Sequence, residues 1–247
     1  MSLIYRIFSF AERRFARLQG KGMGAHSIKA EVRAVTQFVK PLGLVVDIGG
    51  NIGDYSAQVL QQFPTAHIHI FEPSAVNIGK LNQRFGHNKQ VVIHQKALSD
   101  AAGVMTLYSD SPGSGLGSLS KRDLSHHQLD FSHEEKVSVA RFDEVYLEFL
   151  TDEVIDLVKI DVEGHELGVL RGFGSSILNV RAIQFEFGGC NVDTRTYFKD
   201  FWDFFTEKGF GLYRITPLGA QAILKYHEQE EAFTTTNFLA INNKLKD

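Results

Sequence analysis

The residues of this chain best placed to do chemistry are acids at the ends of apolar runs, beside a glycine cluster. Val45-Val46-Asp47-Ile48 leads directly into Gly49-Gly50-Asn51-Ile52-Gly53-Asp54-Tyr55, so a strand-like run ends in an acid and turns through three glycines. Glu72 closes a second run, His67-Ile68-His69-Ile70-Phe71, and Pro73 follows it. Further on, Lys159-Ile160-Asp161-Val162-Glu163-Gly164-His165-Glu166 and Gln184-Phe185-Glu186-Phe187-Gly188-Gly189 put Asp161, Glu163, His165 and Glu186 at the ends of two more runs. A strand feeding a glycine turn and then a helix is a nucleotide-binding arrangement, because the helix N-terminus presents free N–H groups there.

The acid decides which nucleotide. A pyrophosphate would be repelled by Asp47, and the G-x-G-x-x-G register fails: with Gly50 and Gly53 as its second and third glycines, the first position holds Ile48. A cofactor without phosphates, carrying cationic and hydroxyl groups, suits the site better. S-adenosylmethionine, with its ammonium, sulfonium and ribose, meets that description. Glu72, 25 residues after Asp47, is placed to accept from both ribose hydroxyls, as the second-strand acid does in dinucleotide folds. The plainer alternative is that both acids only cap the helices that follow.

Ligands of open α/β sheets lie outside the carboxyl ends of the strands, so Asp161 should face the reactive end of such a cofactor. Lys159 and Asp161 share one strand face, since side chains alternate. Asp161, Glu163, His165 and Glu186 could then converge. One chemistry for them is proton abstraction from an attacking hydroxyl. Another is a divalent metal that polarises the hydroxyl; the spacing matches no dedicated metal site, and no metal ligand is assigned. The pairs His67 with His69 and His126 with His127 read as packing or surface residues.

The elements that must hold these groups follow from periodicity. Strands are expected at 44–48, 68–71, 91–94, 104–108, 137–142, 157–160, 183–187, 210–215 and 238–241. Helices are expected from Ser27 or His26 to Pro41, at 54–63, at 74–85, from about 166 to 173 and at roughly 196–208. Alternating strands and helices argue a doubly wound sheet, and the last two strands are expected as a hairpin at its edge. The aromatic stripe Tyr197, Phe198, Phe201, Trp202, Phe204 and Phe205 reads as core. From Ser109 to Ser120 nine residues are Gly, Ser or Pro, so a loop is expected near the cofactor crevice, either a substrate lid or a solvated insertion.

At 247 residues and 43% hydrophobic composition the chain suits one large α/β domain. Cys190 is the only cysteine, which excludes an intrachain disulfide and points to a reducing, cytoplasmic setting. A net charge of −3 gives no reason to expect nucleic acid. Residues 1–26 form a basic amphipathic extension, with Arg6, Arg13, Arg14, Arg17 and Lys21 against Glu12; residues 27–247 form the enzymatic domain, with 109–136 as an insertion near the site. The arginines and Glu12 exclude a secretory signal. Two readings compete for residues 1–21: peripheral contact with the inner face of a membrane, or packing on the domain or a second copy. Packing is the preferred one.

The motifs VDIGGNIG (46–53), FEP (71–73), ALSD (97–100), KIDVEG (159–164) and IQFEFG (183–188) resemble the FkbM family of S-adenosylmethionine-dependent methyltransferases, over about residues 28–241. The resemblance implies a Rossmann-like class I methyltransferase fold, a seven-stranded mostly parallel sheet with helices on both faces and a C-terminal antiparallel hairpin. It also implies O-methylation of a sugar, glycan, glycolipid or natural-product hydroxyl, with S-adenosylhomocysteine as product. The candidate cofactor-binding set is Asp47, Gly49, Gly50, Asn51, Gly53, Tyr55, Glu72, Pro73, Ala97, Leu98 and Asp161. The candidate catalytic set is Asp161, Glu163, His165 and Glu186. The family often holds another residue at position 165, which moves the weight to Asp161 with Glu163. The alternatives are a nicotinamide-dependent oxidoreductase and a cofactor-binding partner protein without catalysis.

Overall fold

The structure, a computed structural model, describes residues 3–22, 27–150 and 153–245; His26, a suggested helix start, lies outside them. Ser27 caps the helix instead, its Oγ accepting the Ala30 N–H at 3.3 Å. In chain order the elements are α1 (Leu3–Leu18), α2 (Ile28–Val35), β1 (Leu44–Ile48), α3 (Asp54–Gln62), β2 (His67–Phe71), α4 (Ala75–Phe85), β3 (Val91–His94), β4 (Ala97–Leu98), β5 (Gly103–Ser109), β6 (His133–Ala140), α5 (Phe142–Phe149), β7 (Ile155–Ile160), α6 (Glu166–Gly172), β8 (Val180–Phe187), α7 (Cys190–Thr194), α8 (Phe198–Glu207), β9 (Phe210–Thr216), β10 (Gly219–Ile223) and β11 (Thr236–Asn242).

One sheet of eight strands runs β10-β9-β11-β8-β7-β1-β2-β3, and a small sheet runs β4-β6-β5. Strands β3, β2, β1, β7 and β8 are parallel, and β11 pairs antiparallel with both β8 and β9. The chain leaves β1 toward β2 on one side, while β7 pairs on the other, so the strand order reverses between β1 and β7. The crevice at their carboxyl ends is where such sheets take ligands.

The class I methyltransferase arrangement holds, with one strand beyond the seven expected. Strand β9 forms its hairpin with β10, and β11 inserts between β8 and β9 instead of closing the edge. All seven residues of β11 are buried, as an interior strand requires, whereas β10 is half-exposed. The expected strand 137–142 ends at Ala140; Phe142 starts α5, which fills the gap before β7.

The central strands are largely apolar on both faces, as buried parallel strands usually are. Val46, Ile48, Val158, Ile160, Phe185 and Phe187 face α5, α6 and α8. Phe198, Phe201 and Phe205 of α8 are fully buried there, and Phe185 stacks on Phe201 at 4.9 Å between ring centroids. Aromatic pairs of this kind add about 0.5–1.5 kcal/mol each beyond burial. The other face meets α2, α3 and α4 through Val45, Leu157, Ala182, Leu239 and Ile241.

Candidate active site

The face toward α2 and α3 carries a polar row through the middle of the sheet. Asp47 of β1 is in register with Lys159 of β7, and Lys159 with Gln184 of β8. All three are buried. Buried polar groups are costly unless paired, and the helices supply the partners. Ser56 of α3 donates to Asp47 Oδ2 at 2.6 Å. Tyr55 donates its hydroxyl to Gln184 Oε1 at 2.7 Å, and Gln184 Nε2 donates to Glu31 Oε2 of α2 at 2.6 Å. The Lys159 ammonium donates to Asp161 Oδ2 at 2.9 Å and lies over the Tyr55 ring. Burial pushes Lys159 down, but the carboxylates of Asp161 and Glu31 outweigh it and hold the ammonium above its ordinary range. Burial raises Asp47, with Ser56 and Lys159 opposing.

The glycine loop brings the strand ends together. Gly49 sits at φ +79°, and a Cβ there would stand 1.8 Å from the Asp161 carbonyl oxygen. Only glycine allows that approach without a steric penalty. Gly49 and Gly50 both donate N–H to the Phe71 carbonyl, at 2.9 and 3.1 Å. Glu72 then turns into the loop: Oε2 accepts the Asn51 N–H at 2.9 Å, and Oε1 accepts the Ser74 N–H at 2.9 Å. Two backbone donors fix the carboxyl's orientation. Burial raises its pKa, and those N–H groups oppose the shift.

Two cavities meet at this point. The first is lined by Ile48, Gly49, Asn51, Phe71, Glu72, Pro73, Ala97, Leu98 and Asp161, and is covered by Ser109, Gly113, Ser114, Gly115, Gly117 and Leu119. The Gly/Ser segment thus lies over the cavity. Ser118 pairs back to Tyr108, and its Oγ donates to the Glu163 carbonyl at 2.9 Å. The second cavity, about 520 Å³, is lined by Glu31, Asp47, Gly49, Gly50, Asn51, Tyr55, Arg122, Lys159, Asp161, Glu163 and Glu186 among others. Gly49, Asn51, Asp161 and Glu163 line both.

At that junction Glu163 sits at φ +54° and accepts from Arg122 Nη1 at 2.6 Å. Arg122 Nε lies 3.5 Å from Asp193. Burial, with Asp161 adding repulsion, raises Glu163 to about 7 despite Arg122. Burial and the Asp161 charge also raise Glu186 above the carboxylate range. Glu166 is buried beneath the turn, where its Oε1 accepts N–H groups from Val162 and Gly164 at 3.2 and 3.1 Å; burial raises it to about 6.

Not every candidate arrives. His165 turns away: its Nε2 lies 2.8 Å from Ser99 Oγ, its ring packs beside Gly168, and it lines neither cavity. Its place at the head of α6 points it at the end of β4, under the turn that carries Glu163. Gly53 also lines neither; a Cβ there would meet Phe85 and Leu81, so this glycine admits α4 against α3. Arg122 and Glu31 were absent from the candidate sites. Arg122 stands 41 residues before its partner in an irregular segment, and Glu31 reads as one more polar residue on a helix. Among the described residues, no group of three or more His, Cys, Asp or Glu could hold a metal ion.

The first cavity fits the nucleoside part of S-adenosylmethionine. Beyond Glu72, the buried Asn51 Oδ1 and Ser74 Oγ line it without a partner in the protein. Buried polar atoms seldom stay unpaired, and ribose hydroxyls or an amino group would satisfy them. The second cavity is lined by Asp47, Asp161, Glu163 and Glu186, which suit a cationic group.

Comparison with known proteins places the chain in a family. The model of the methyltransferase FkbM domain matches residues 47–212. The chain is 28% identical over 198 residues to the 2-O-methyltransferase NoeI of Sinorhizobium fredii, covering 76% of this chain and 77% of that protein. It is 30% identical over 142 residues to Methyltransferase 1 of Beauveria bassiana, covering 52% of this chain and 57% of that one. The match therefore spans little more than half of the fungal relative. Among solved structures, TrmK of M. capricolum in complex with S-adenosylhomocysteine aligns at a TM-score of 0.48 and 10% identity, over 88% of this chain and 70% of that one.

Proposed function

The chain belongs to the FkbM family of S-adenosylmethionine-dependent methyltransferases, and on that premise we propose that it methylates a hydroxyl of a sugar, free or within a glycan, glycolipid or glycosylated metabolite. The observation that carries the reading is Glu163, a carboxyl poised near neutrality where the two cavities join. A general base works best when its pKa lies near the working pH.

Glu72, Asn51 and Ser74 would hold the ribose; Asp47, Gly49 and Gly50 would border the amino-acid end. Bound there, the cofactor supplies an electrophilic methyl group. Glu163 accepts the proton of the acceptor hydroxyl, leaving its oxygen nucleophilic. Arg122 orients Glu163 and meets the new charge balance when the carboxyl becomes neutral. Asp161, fixed by Lys159, borders the same place and disfavours anionic acceptors. Glu186, raised by burial and by the Asp161 charge, borders the same cavity. His165 has no part. The 2-O-methyltransferase name of the rhizobial relative supports a hydroxyl acceptor.

The test is transfer of isotope-labelled methyl to a panel of sugars, glycolipids, protein and RNA. Label in a base-stable ether on a sugar hydroxyl is expected. Label on protein nitrogen or on RNA would overturn the acceptor assignment while leaving the cofactor assignment intact.

A further inference from the structure

We propose that α1 binds the surface of an anionic lipid bilayer, lying in the interface with one face in the acyl region and its arginines at the headgroups. The helix buries none of its residues against the domain. Leu3, Ile4, Ile7, Phe8, Phe15 and Leu18 are between 57% and 72% exposed. At about 100° per residue they share an arc of roughly 140°. Arg6, Arg13 and Arg17 fall together on the opposite flank; Arg14 falls within the apolar arc, its guanidinium over the Phe10 ring, and long basic side chains there can still carry their heads to the headgroups. A helix of a soluble domain turns its apolar stripe inward; this one turns it out. A basic face opposite an apolar, aromatic one is the pattern of helices that lie in a membrane interface.

The helix is not a loose appendage. Gly20, just beyond it, is buried on β9, where a Cβ would stand 2.2 Å from the Ile215 carbonyl oxygen. Arg214 donates to the Gln19 carbonyl at 3.4 Å, and Lys21 to the Gln229 carbonyl at 3.0 Å. The β9–β10 turn that receives Gly20 carries Leu218 at its tip, 90% exposed, a second apolar side chain beside the helix base. Gly20 shares a small cavity with Ser27 and Glu31, and Glu31 also lines the second cavity of the active site. The base of α1 is thus linked through Glu31 to the second cavity.

Charge selects the occupant. Helix α1 carries four arginines and one glutamate, a net +3, on a chain whose total is −3. The remainder thus carries −6 and would be repelled by anionic lipid, so attraction is confined to the helix and orients the molecule. Juxtaposed basic residues each strengthen attraction to an anionic leaflet.

The experiment is flotation of the full chain with phosphatidylcholine vesicles and with mixed phosphatidylcholine–phosphatidylglycerol vesicles. The wild type should float with the mixed vesicles alone. The double change Phe8→Glu with Phe15→Glu should stay in the dense fraction. Arg13→Glu with Arg17→Glu should weaken partition at least about tenfold. These positions are exposed, and circular dichroism checks that the variants fold. Failure of the wild type to float, or equal flotation of wild type and variants, overturns the proposal. A dimer in sedimentation that the phenylalanine changes abolish, without vesicle binding, would assign the face to a second copy instead. Flotation needs no methyl transfer, so its failure leaves the acceptor reading untouched.

Discussion

Glu163 and Glu72 are both buried acids, and what surrounds each separates their roles. Glu72 accepts two backbone N–H groups and is held as an acceptor; Glu163 faces Asp161 and Arg122 together and is held near its titration point. Glu163→Gln should keep the fold and the affinity for S-adenosylhomocysteine while lowering kcat by about 10²–10⁴. In the wild type, activity should rise with pH through about 7 as Glu163 loses its proton, and that limb should vanish in the variant. An unchanged kcat in the Glu163→Gln variant would remove Glu163 from the chemistry. Glu72→Ala should instead leave the pH profile alone and weaken S-adenosylhomocysteine binding. Loss of charged hydrogen bonds worth about 1.5–3 kcal/mol corresponds to roughly ten- to hundredfold, which calorimetry reads directly. Both acids were legible in the sequence because each closes an apolar run just before a turn residue, Pro73 or Gly164. The Arg122 partnership was not, since nothing local ties an irregular segment to a turn 41 residues away. His165 shows the complementary error: adjacency in sequence placed it with the acids, but the start of α6 rotates it to Ser99.

The elements that carry the site depend on how closely their ends approach. β1 and β7 meet through Gly49 and the Asp161 backbone, whose N–H donates to the Ile48 carbonyl at 3.0 Å. Gly49→Ala asks for a left-handed conformation and places a methyl 1.8 Å from the Asp161 carbonyl oxygen, far inside contact distance. It should destabilise by at least about 2 kcal/mol. Urea unfolding should show a lower midpoint at an unchanged slope; an unaltered midpoint would mean the turn can re-form elsewhere. The parallel strands were readable because burial on both faces leaves apolar runs such as Leu44–Val46, and Ile183–Phe187 broken only by Gln184 and Glu186. α5 was not, because Phe142-Asp143-Glu144-Val145-Tyr146 extends the apolar character of β6 without a cap side chain to mark the change. β10, Gly219-Ala220-Gln221-Ala222-Ile223, lacks both alternation and β-branched weight, and its strand state comes from pairing with β9. The position of β11 between β8 and β9 is a tertiary fact, decided by which edge is free when the strand arrives.

Over the whole molecule, the first cavity joins two structural units. One wall is the carboxyl end of the large sheet at Ile48, Phe71 and Glu72; the other is the segment from Ser109 to Leu119, which grows out of the small sheet. The Tyr108–Ser118 pair and the bond from Ser118 to Glu163 tie that segment down. A ligand filling the cavity would touch both walls, so its binding free energy should stabilise the entire fold and the cover in particular. At a hundredfold excess over Kd the linkage contributes about 2.7 kcal/mol. For a domain of this size that raises Tm by about 5–10 °C. S-adenosylhomocysteine should give this shift in a thermal melt, and Glu72→Ala should need roughly ten to a hundred times more ligand for the same effect. Hydrogen exchange gives the spatial half of the prediction. Amides of 113–119 should slow on ligand addition, while those of α1, which lines neither cavity and buries no residue, should not change. NAD at the same concentrations should leave both readouts where they were, because Asp47 repels its pyrophosphate. Equal protection by NAD would overturn the cofactor assignment at the level of the intact protein.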